Sequence, residues 1–420
     1  MTVPKLADGQ MESLEDFGAR ARAWITQNLH PRPETALSRH EAQERGKALQ
    51  AKIFDAGFAG VAVPKAYGGM GLTLEHQRVW ADETRAYETP GNYMVSIGMM
   101  LPTVLDHGSE AVKTRHIPRM LRGEEQWIQL LSEPSGGSDM AGALTRAERR
   151  GGSYFINGSK MWSSGAGTAD YGICLARVNW DAPKHQGLGM FALPLKAKGV
   201  TINPIIPAQG GEAHFFIEYL DEVEVPGDYV LGGEGEGWTV AQRLLFHERN
   251  ATAGVGYGLG LGGGSGSSSG SNSWRLDILD LARRHGAMGD PALAAQIAED
   301  YIELVVGEQL ASRINVGMRT GKLQGQWGSL LKLGMGIDSP ANAELALAVA
   351  GADGVVWSGE NEGGEVARNW LRVRGVSIAG GSNEMQRNIV SERLMGLPRE
   401  PGDDKTAPFS ELIRRARTRS

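Results

Sequence analysis

Ser132-Glu133-Pro134-Ser135-Gly136-Gly137-Ser138-Asp139 is followed along the chain by Asn157-Gly158-Ser159-Lys160-Met161-Trp162-Ser163-Ser164. Glycine permits backbone conformations closed to other residues, so the first stretch can bring main-chain amides against an anion or a ring edge, with hydroxyls beside them. Either stretch alone reads as a polar turn entering a β domain. What flanks them decides which part of the fold they belong to.

Upstream, Met11 to about Arg122 has helical spacing. The run Ala51 to Phe58 ends on the stop Gly57, Glu75 to Ala86 resumes the helical period, and Pro64 to Gly71 forms a turn-rich loop between them. After Gly123 the period shortens. Asn157-Gly158 behind the apolar run Tyr154-Phe155-Ile156 is a strand-then-turn signal, Tyr171 to Leu175 alternates, and Phe215 to Leu231 reads as two strands broken at Pro226-Gly227-Asp228. Helical periodicity returns from Trp238 to the end. Asp290-Pro291 caps a helix there, with Leu293, Ile297, Tyr301, Leu304 and Val305 along one stripe. The expected domains are thus a helical one over 1–125, a β domain over 126–237 and a second helical domain over 238–420. Gly260 to Ser273, nearly all Gly and Ser, interrupts the helix expected from Val240 and reads as a flexible loop, natural or engineered.

Composition narrows the function. With 420 residues, 41% of them hydrophobic, the chain can bury a large core. A net charge of -6 and the lack of an unbroken run of five or more Lys/Arg residues argue against nucleic acid or an anionic membrane as partner. Charged residues or glycine interrupt every apolar run before it could span a bilayer. Met1 to Gln10 has neither a secretory apolar core nor a transit-peptide composition, and Cys174 is the sole cysteine, so a reducing, cytoplasmic setting is expected. The 9 histidines show no paired ligand spacing, which gives no metal site. Gly258 to Gly263 has the spacing of a dinucleotide fingerprint but follows a helix instead of a strand.

Five segments, in this order, resemble the acyl-CoA dehydrogenase family: Pro64 to Gly71, Ser132 to Asp139, Asn157 to Ser164, Gly235-Glu236-Gly237-Trp238, and Gly381-Ser382-Asn383-Glu384-Met385-Gln386-Arg387. The resemblance implies an α+β multi-domain fold with an N-terminal helical domain, a central β domain and a C-terminal four-helix bundle, holding FAD. It further implies that Gln129, Leu131 and Ser132 lie along the pyrimidine side of the isoalloxazine, and that Trp162 and Ser164 flank the ring near N5. Ser138 would sit by the nucleotide part of coenzyme A, and Ser382 and Glu384 would hold the dinucleotide end. A buried Trp162 would add aromatic contact and exclude water.

Removal of hydrogens from the α and β carbons of a thioester needs a base for the α proton. Many family members carry a glutamate for this just before the terminal Gly-Ser/Thr motif; here that position is Gly380, which can offer only its backbone N–H. The resemblance supplies a substitute in Glu248, because a branch that includes isovaleryl- and long-chain-specific members places its base on this helix. At helical spacing Glu248 shares a stripe with Val240, Ala241, Leu244 and Leu245, so its carboxyl should have a raised pKa. Arg249 is a candidate contact for coenzyme A.

The expected activity is dehydrogenation of an acyl-CoA to the trans-2-enoyl-CoA, with an electron-transfer flavoprotein or similar acceptor and a homodimer, homotetramer or hetero-oligomer as the assembly. The alternatives are a flavin oxidase or monooxygenase on the same fold, or a non-catalytic subunit that binds acyl-CoA. In the family an arginine beyond the Glu248 helix reaches the FAD pyrophosphate of a neighbouring subunit. Here the Gly/Ser tract intervenes, Arg275, Arg283 and Arg284 lie outside the usual motif, and Ala348 replaces a common glutamine.

Overall fold

The computed structural model describes residues 11–32, 39–252, 254, 256–261, 275–356, 362–399, 401, 402 and 405–419. Most of the Gly260–Ser273 tract lies outside them. The described residues form two compact units, the first holding those up to Ile205, His214–Leu261 and Lys405–Arg419, the second holding Ile206–Ala213 and Arg275–Gly402.

The first unit begins with α1 (Leu14–Asn28), α2 (Arg39–Asp55), α3 (Leu74–Glu83), α4 (Leu101–His107) and α5 (Glu110–Arg122). Their starts are written locally. Ser13 caps α1, Thr73 and His76 form a reciprocal cap on α3, and Ser109 caps α5. A π-helical turn, Ser96–Met100, leads into α4.

The β domain comprises β1 (Trp127–Leu130), β2 (Arg146–Arg150), β3 (Ser153–Ser164), β4 (Tyr171–Arg177), β5 (Leu188–Pro194), β6 (Val200–Ile205), β7 (Phe215–Pro226) and β8 (Val230–Leu231). They join in the order β6-β7-β3-β2-β4-β5-β8, with β1 added parallel to β4. The break expected at Pro226-Gly227-Asp228 is present as a short 3₁₀ turn, Gly227–Tyr229. Asn157-Gly158, in contrast, does not end a strand. The β3 backbone continues through it with a register shift, and Asn157 is tied across to Glu222 by two hydrogen bonds, of 2.7 and 2.9 Å. Cross-strand pairing over a ladder this long overrides the local turn preference.

Helix α6 (Gly237–Thr252) packs on α4, on the π-helical turn and on β5, all within the first unit. Val240, Ala241 and Leu244 are completely buried there, in one core with Phe17, Trp80, Leu101 and Trp127. Asp106 of α4 adds a polar clamp, accepting from Arg243 Nε at 2.5 Å and pairing with His247 Nε2 at 2.8 Å.

The second unit is helical, with α7 (Ile278–Arg284), α8 (Pro291–Arg319), α9 (Gly328–Ala350), α10 (Ala352–Val355), α11 (Glu362–Val373) and α12 (Asn383–Ile389). Helix α9 packs against all the others. Asp290 and Pro291 start α8 as expected, the Asp290 carboxylate accepting from the amides of Ala292 and Leu293. The expected stripe is only partly covered: Ile297 is buried, but Tyr301 is 53% exposed. Arg275 is engaged inside this unit, its guanidinium 2.5 Å from Asp300. The first unit closes with α13 (Phe409–Arg419).

Candidate active site

The site is built around β3. Its inward parity runs Tyr154, Ile156, Lys160, which places a lysine on a face otherwise filled by apolar side chains. A buried ammonium requires a partner. Lys160 Nζ donates to Glu133 Oε1 at 2.8 Å and to the Leu131 carbonyl at 3.3 Å. Glu133 also accepts from the amides of Leu144 and Thr145, at 2.7 and 3.0 Å. Burial alone would push the Glu133 carboxyl up. The Lys160 charge and these hydrogen bonds outweigh it and hold the pKa below the usual carboxylate range. With Met161 N donating to the Ser132 carbonyl at 2.9 Å, both ends of the loop from Leu131 to Thr145 are pinned to the sheet.

One residue later the ladder slips. Between Met161 and Ser163 the β3–β7 register shifts, and Trp162 occupies φ 67, a left-handed conformation that bulky residues rarely adopt. The strain is of order 1–2 kcal/mol. It turns the indole outward: Trp162 is 54% exposed, with Phe215 edge-on at 5.9 Å. Beneath the bulge, Ser163 Oγ donates to Glu218 Oε2 at 2.9 Å, while Glu218 Oε1 is buried with no hydrogen-bond partner among the described residues. Burial pushes the Glu218 carboxyl up to about 7. Ser164 ends the strand opposite Phe215.

Glu248 occupies the stripe read from the sequence, one turn beyond the buried Leu244 and three residues before the buried Ala251. Its carboxyl pKa is raised, burial being the principal cause, against the smaller opposing effects of a hydrogen bond from Gln129 and the charge of Arg249. Gln129 lies on β1, so the sheet and α6 meet at this carboxyl. The other end of the same amide, Gln129 Oε1, is a buried acceptor with no hydrogen-bond partner among the described residues. Sequence reasoning placed Gln129 and Glu248 separately and missed their link, as it missed the Lys160–Glu133 pair. A charged residue at the inward parity of an apolar strand was the available signal for that pair.

The structure brings Gln129, Leu131, Ser132, Trp162, Ser164 and Glu248 into the first unit. Ser138 and Arg249 are exposed there. Gly380, Ser382 and Glu384 belong to the second unit, at the start of α12. Ser382 caps that helix by accepting from Met385 N, and Gln386 Nε2 donates to the Gly380 carbonyl at 2.9 Å. Gly380 has φ 65, so any side chain there would be strained. The Glu384 carboxyl is held below its usual range by its own backbone N–H and by Ser382.

An exposed aromatic ring on a strained bulge and an orphaned amide oxygen on the neighbouring strand fit a flat heteroaromatic group with an N–H edge, which is the chemistry of a flavin. Comparison with known proteins agrees. Residues 11–124 match the acyl-CoA dehydrogenase N-terminal domain, 129–219 the middle domain and 275–395 the C-terminal domain. The chain belongs to the acyl-CoA dehydrogenase family of flavoprotein oxidoreductases.

It is 31% identical to the acyl-CoA dehydrogenase IpdE1 of Mycobacterium tuberculosis over 93% of this chain and 99% of that one. Among solved structures it is similar to the Tcur3481-Tcur3483 steroid acyl-CoA dehydrogenase, with TM-score 0.70 and 27% identity, covering 93% of this chain and 99% of that one. It shares its fold with a glutaryl-CoA dehydrogenase of Mycobacterium smegmatis solved in complex with FADH2. That likeness has TM-score 0.63 at 21% identity and covers 92% of this chain and 95% of that one. Among the described residues no helix is long and apolar enough to cross a membrane.

Proposed function

We propose that the chain catalyses FAD-dependent α,β-dehydrogenation of an acyl-CoA thioester to the trans-2-enoyl-CoA, with Glu248 taking the α proton. The observation that carries this reading is the Glu248 carboxyl itself, raised in pKa by burial on the apolar stripe of α6 and steadied by the Gln129 amide. A desolvated carboxylate is a stronger base than an exposed one. Leu244 and Ala251, four residues before and three after it on the same helix, are buried, which makes the face around it apolar.

When bound, the flavin supplies the hydride acceptor. Gln129 Oε1, the Leu131–Ser132 backbone, Trp162 and Ser164 would hold its ring, and Ser382 and Glu384 its dinucleotide end. The resemblance assigns the Gly380 N–H to the thioester carbonyl oxygen. Having no side chain, Gly380 leaves the proton to Glu248. Ser138 and Arg249 are assigned to coenzyme A. The decisive experiment is anaerobic titration of Glu248→Gln with an acyl-CoA: bound flavin is retained and its bleaching is abolished, whereas full bleaching would remove Glu248 from the mechanism.

The likeness to a steroid acyl-CoA dehydrogenase, with the small Ala379 and the absent side chain of Gly380, favours a bulky or ring-bearing acyl group, to be read from a panel of acyl-CoAs. Helix α8 exposes Tyr301, Ile302, Val306, Leu310 and Val316, an apolar surface that we assign to a subunit contact. That steroid enzyme pairs Tcur3481 with Tcur3483, so the partner here is either a second copy or a related subunit, with an electron-transfer flavoprotein or similar acceptor outside the assembly. Mass determination of the purified chain alone separates the two assemblies.

A further inference from the structure

The match to the family's C-terminal domain ends at residue 395, yet the chain continues and folds back onto the β domain of the first unit. Phe409 is 2% exposed. Its amide donates to the Ala182 carbonyl at 3.0 Å, and the next amide, of Ser410, donates to the Trp180 carbonyl at 2.8 Å. Ser410 Oγ donates to Asp181 at 3.0 Å, and Pro408 bridges to Pro183. The tail is therefore stitched to the loop between β4 and β5 at consecutive positions.

What lies under the stitch gives it a purpose. The Phe409 ring covers the guanidinium of Arg177, with 3.8 Å from the guanidinium carbon to the ring centroid. Arg177 is completely buried, and its two arms reach separate loops: Nη1 donates to the Lys184 carbonyl at 2.6 Å and Nη2 to the Ala141 carbonyl at 2.5 Å. A second tie runs between the same loops on the surface, where Lys184 Nζ is 2.7 Å from Asp139. Asp139 follows Ser138, which the proposed function assigns to the nucleotide part of coenzyme A. His185, next along the tied loop, packs edge-on against Trp238 in the first turn of α6 at 4.8 Å.

We propose that the tail from Lys405 to Arg419 is a strap that shapes the subsite for the phosphorylated nucleotide end of coenzyme A. It acts through Arg177, so Phe409 is a positioning residue. This rests on the proposed function, since it takes the Ser138 loop as the place where coenzyme A's nucleotide binds. Without the ring, the guanidinium loses a cation–π partner and its shield from water, and the two loops lose the joint that holds them at a fixed separation. Loops that must be ordered on binding cost affinity. The loss is expected at the nucleotide end, because Ser138, assigned to that end, lies in the loop that Arg177 and Lys184 tie through Ala141 and Asp139.

Calorimetric titration of the flavin-loaded full chain with coenzyme A and, separately, with pantetheine tests the strap. Phe409→Ala is expected to weaken coenzyme A binding by about tenfold and to leave pantetheine binding unchanged, while Phe409→Trp keeps wild-type affinity for both. Equal binding of coenzyme A by Phe409→Ala and wild type overturns the strap, and so does a parallel loss for both ligands, which signals general loosening. Failure of the wild type itself to bind coenzyme A overturns the proposed function instead.

Discussion

Glu133 and Glu248 are carboxylates withdrawn from water in the same unit, and their surroundings drive them in opposite directions. Glu133 is answered on every side, by the Lys160 ammonium and the amides of Leu144 and Thr145, and its pKa falls. Glu248 faces an apolar helix stripe with the Gln129 amide and the charge of Arg249 in weaker opposition, and its pKa rises. The first arrangement holds the charged form as part of the frame; the second destabilises it and so stores basicity. Glu218 is the intermediate case, with one oxygen bonded to Ser163 and the other without a partner among the described residues. Burial of a carboxyl therefore does not by itself mark a catalytic group in this chain. How completely the charge is answered is what separates the three.

The contrast breaks most directly at Glu248. Glu248→Gln should lower the rate of flavin reduction by an acyl-CoA by about 10²–10⁴-fold without lowering stability, read by anaerobic stopped-flow absorbance. At Glu133 the expected outcome is the reverse, with stability lost first. Lys160→Met leaves that carboxylate buried and uncompensated, and should cost about 3–5 kcal/mol in chemical denaturation. Adding Glu133→Leu to it should restore much of the loss, since removing both partners leaves no stranded charge. A Lys160→Met protein of wild-type stability would mean that the pair is not the frame of the loop.

Glu218 sharpens the comparison through pH. Its folded-state carboxyl is pushed up to about 7, above an ordinary carboxylate, so the folded state prefers the protonated form. Its contribution is therefore fully favourable below the unfolded pKa and is lost as pH rises through the folded one, a window from about 4.5 to 7. Lys160 and Cys174 are the ionisable groups that interact with it from β3 and β4, and neither cancels the effect of burial. Glu218→Gln should accordingly raise the melting temperature by roughly 2–4 °C per kcal/mol relieved at about pH 8, and change it little at about pH 5. Equal shifts at the two pH values would contradict the assignment.

These groups were not equally legible in the sequence. The succession of helices, strands and helices follows from the change of period near Gly123 and near Trp238, and the break at Pro226-Gly227-Asp228 was written in turn residues. Glu248 came from the family resemblance, and the apolar spacing of its helix neighbours agreed with it. Asn157-Gly158 misled because a local turn signal says nothing about the β7 partner that keeps β3 extended through it. The outward turn of Trp162 was illegible for a related reason: the resemblance placed it beside the flavin ring, but the one-residue register slip that aims the indole is fixed by pairing with a strand more than fifty positions away. The Gln129–Glu248 link joins a strand to a helix far along the chain, and no periodicity within either reveals it. Non-local pairing is the common cause of all three.

That link also gives the smallest and most specific test of the contrast, because, with the Arg249 charge, it is what makes Glu248 resemble Glu133. The Gln129 hydrogen bond lowers the Glu248 pKa against the rise caused by burial. Gln129→Leu removes it, so the carboxyl should move further from the ordinary range, and the acid limb of the rate of flavin reduction should shift to higher pH. The rate near neutral pH should fall by less than about tenfold, since a single hydrogen bond is lost while the base stays in place. Measured at saturating flavin, the shift of the limb separates this effect from any weakening of the cofactor through loss of Gln129 Oε1. A limb that moves to lower pH, or does not move, would mean that the amide does not steady the charged form, and the difference between the two glutamates would then rest on desolvation alone.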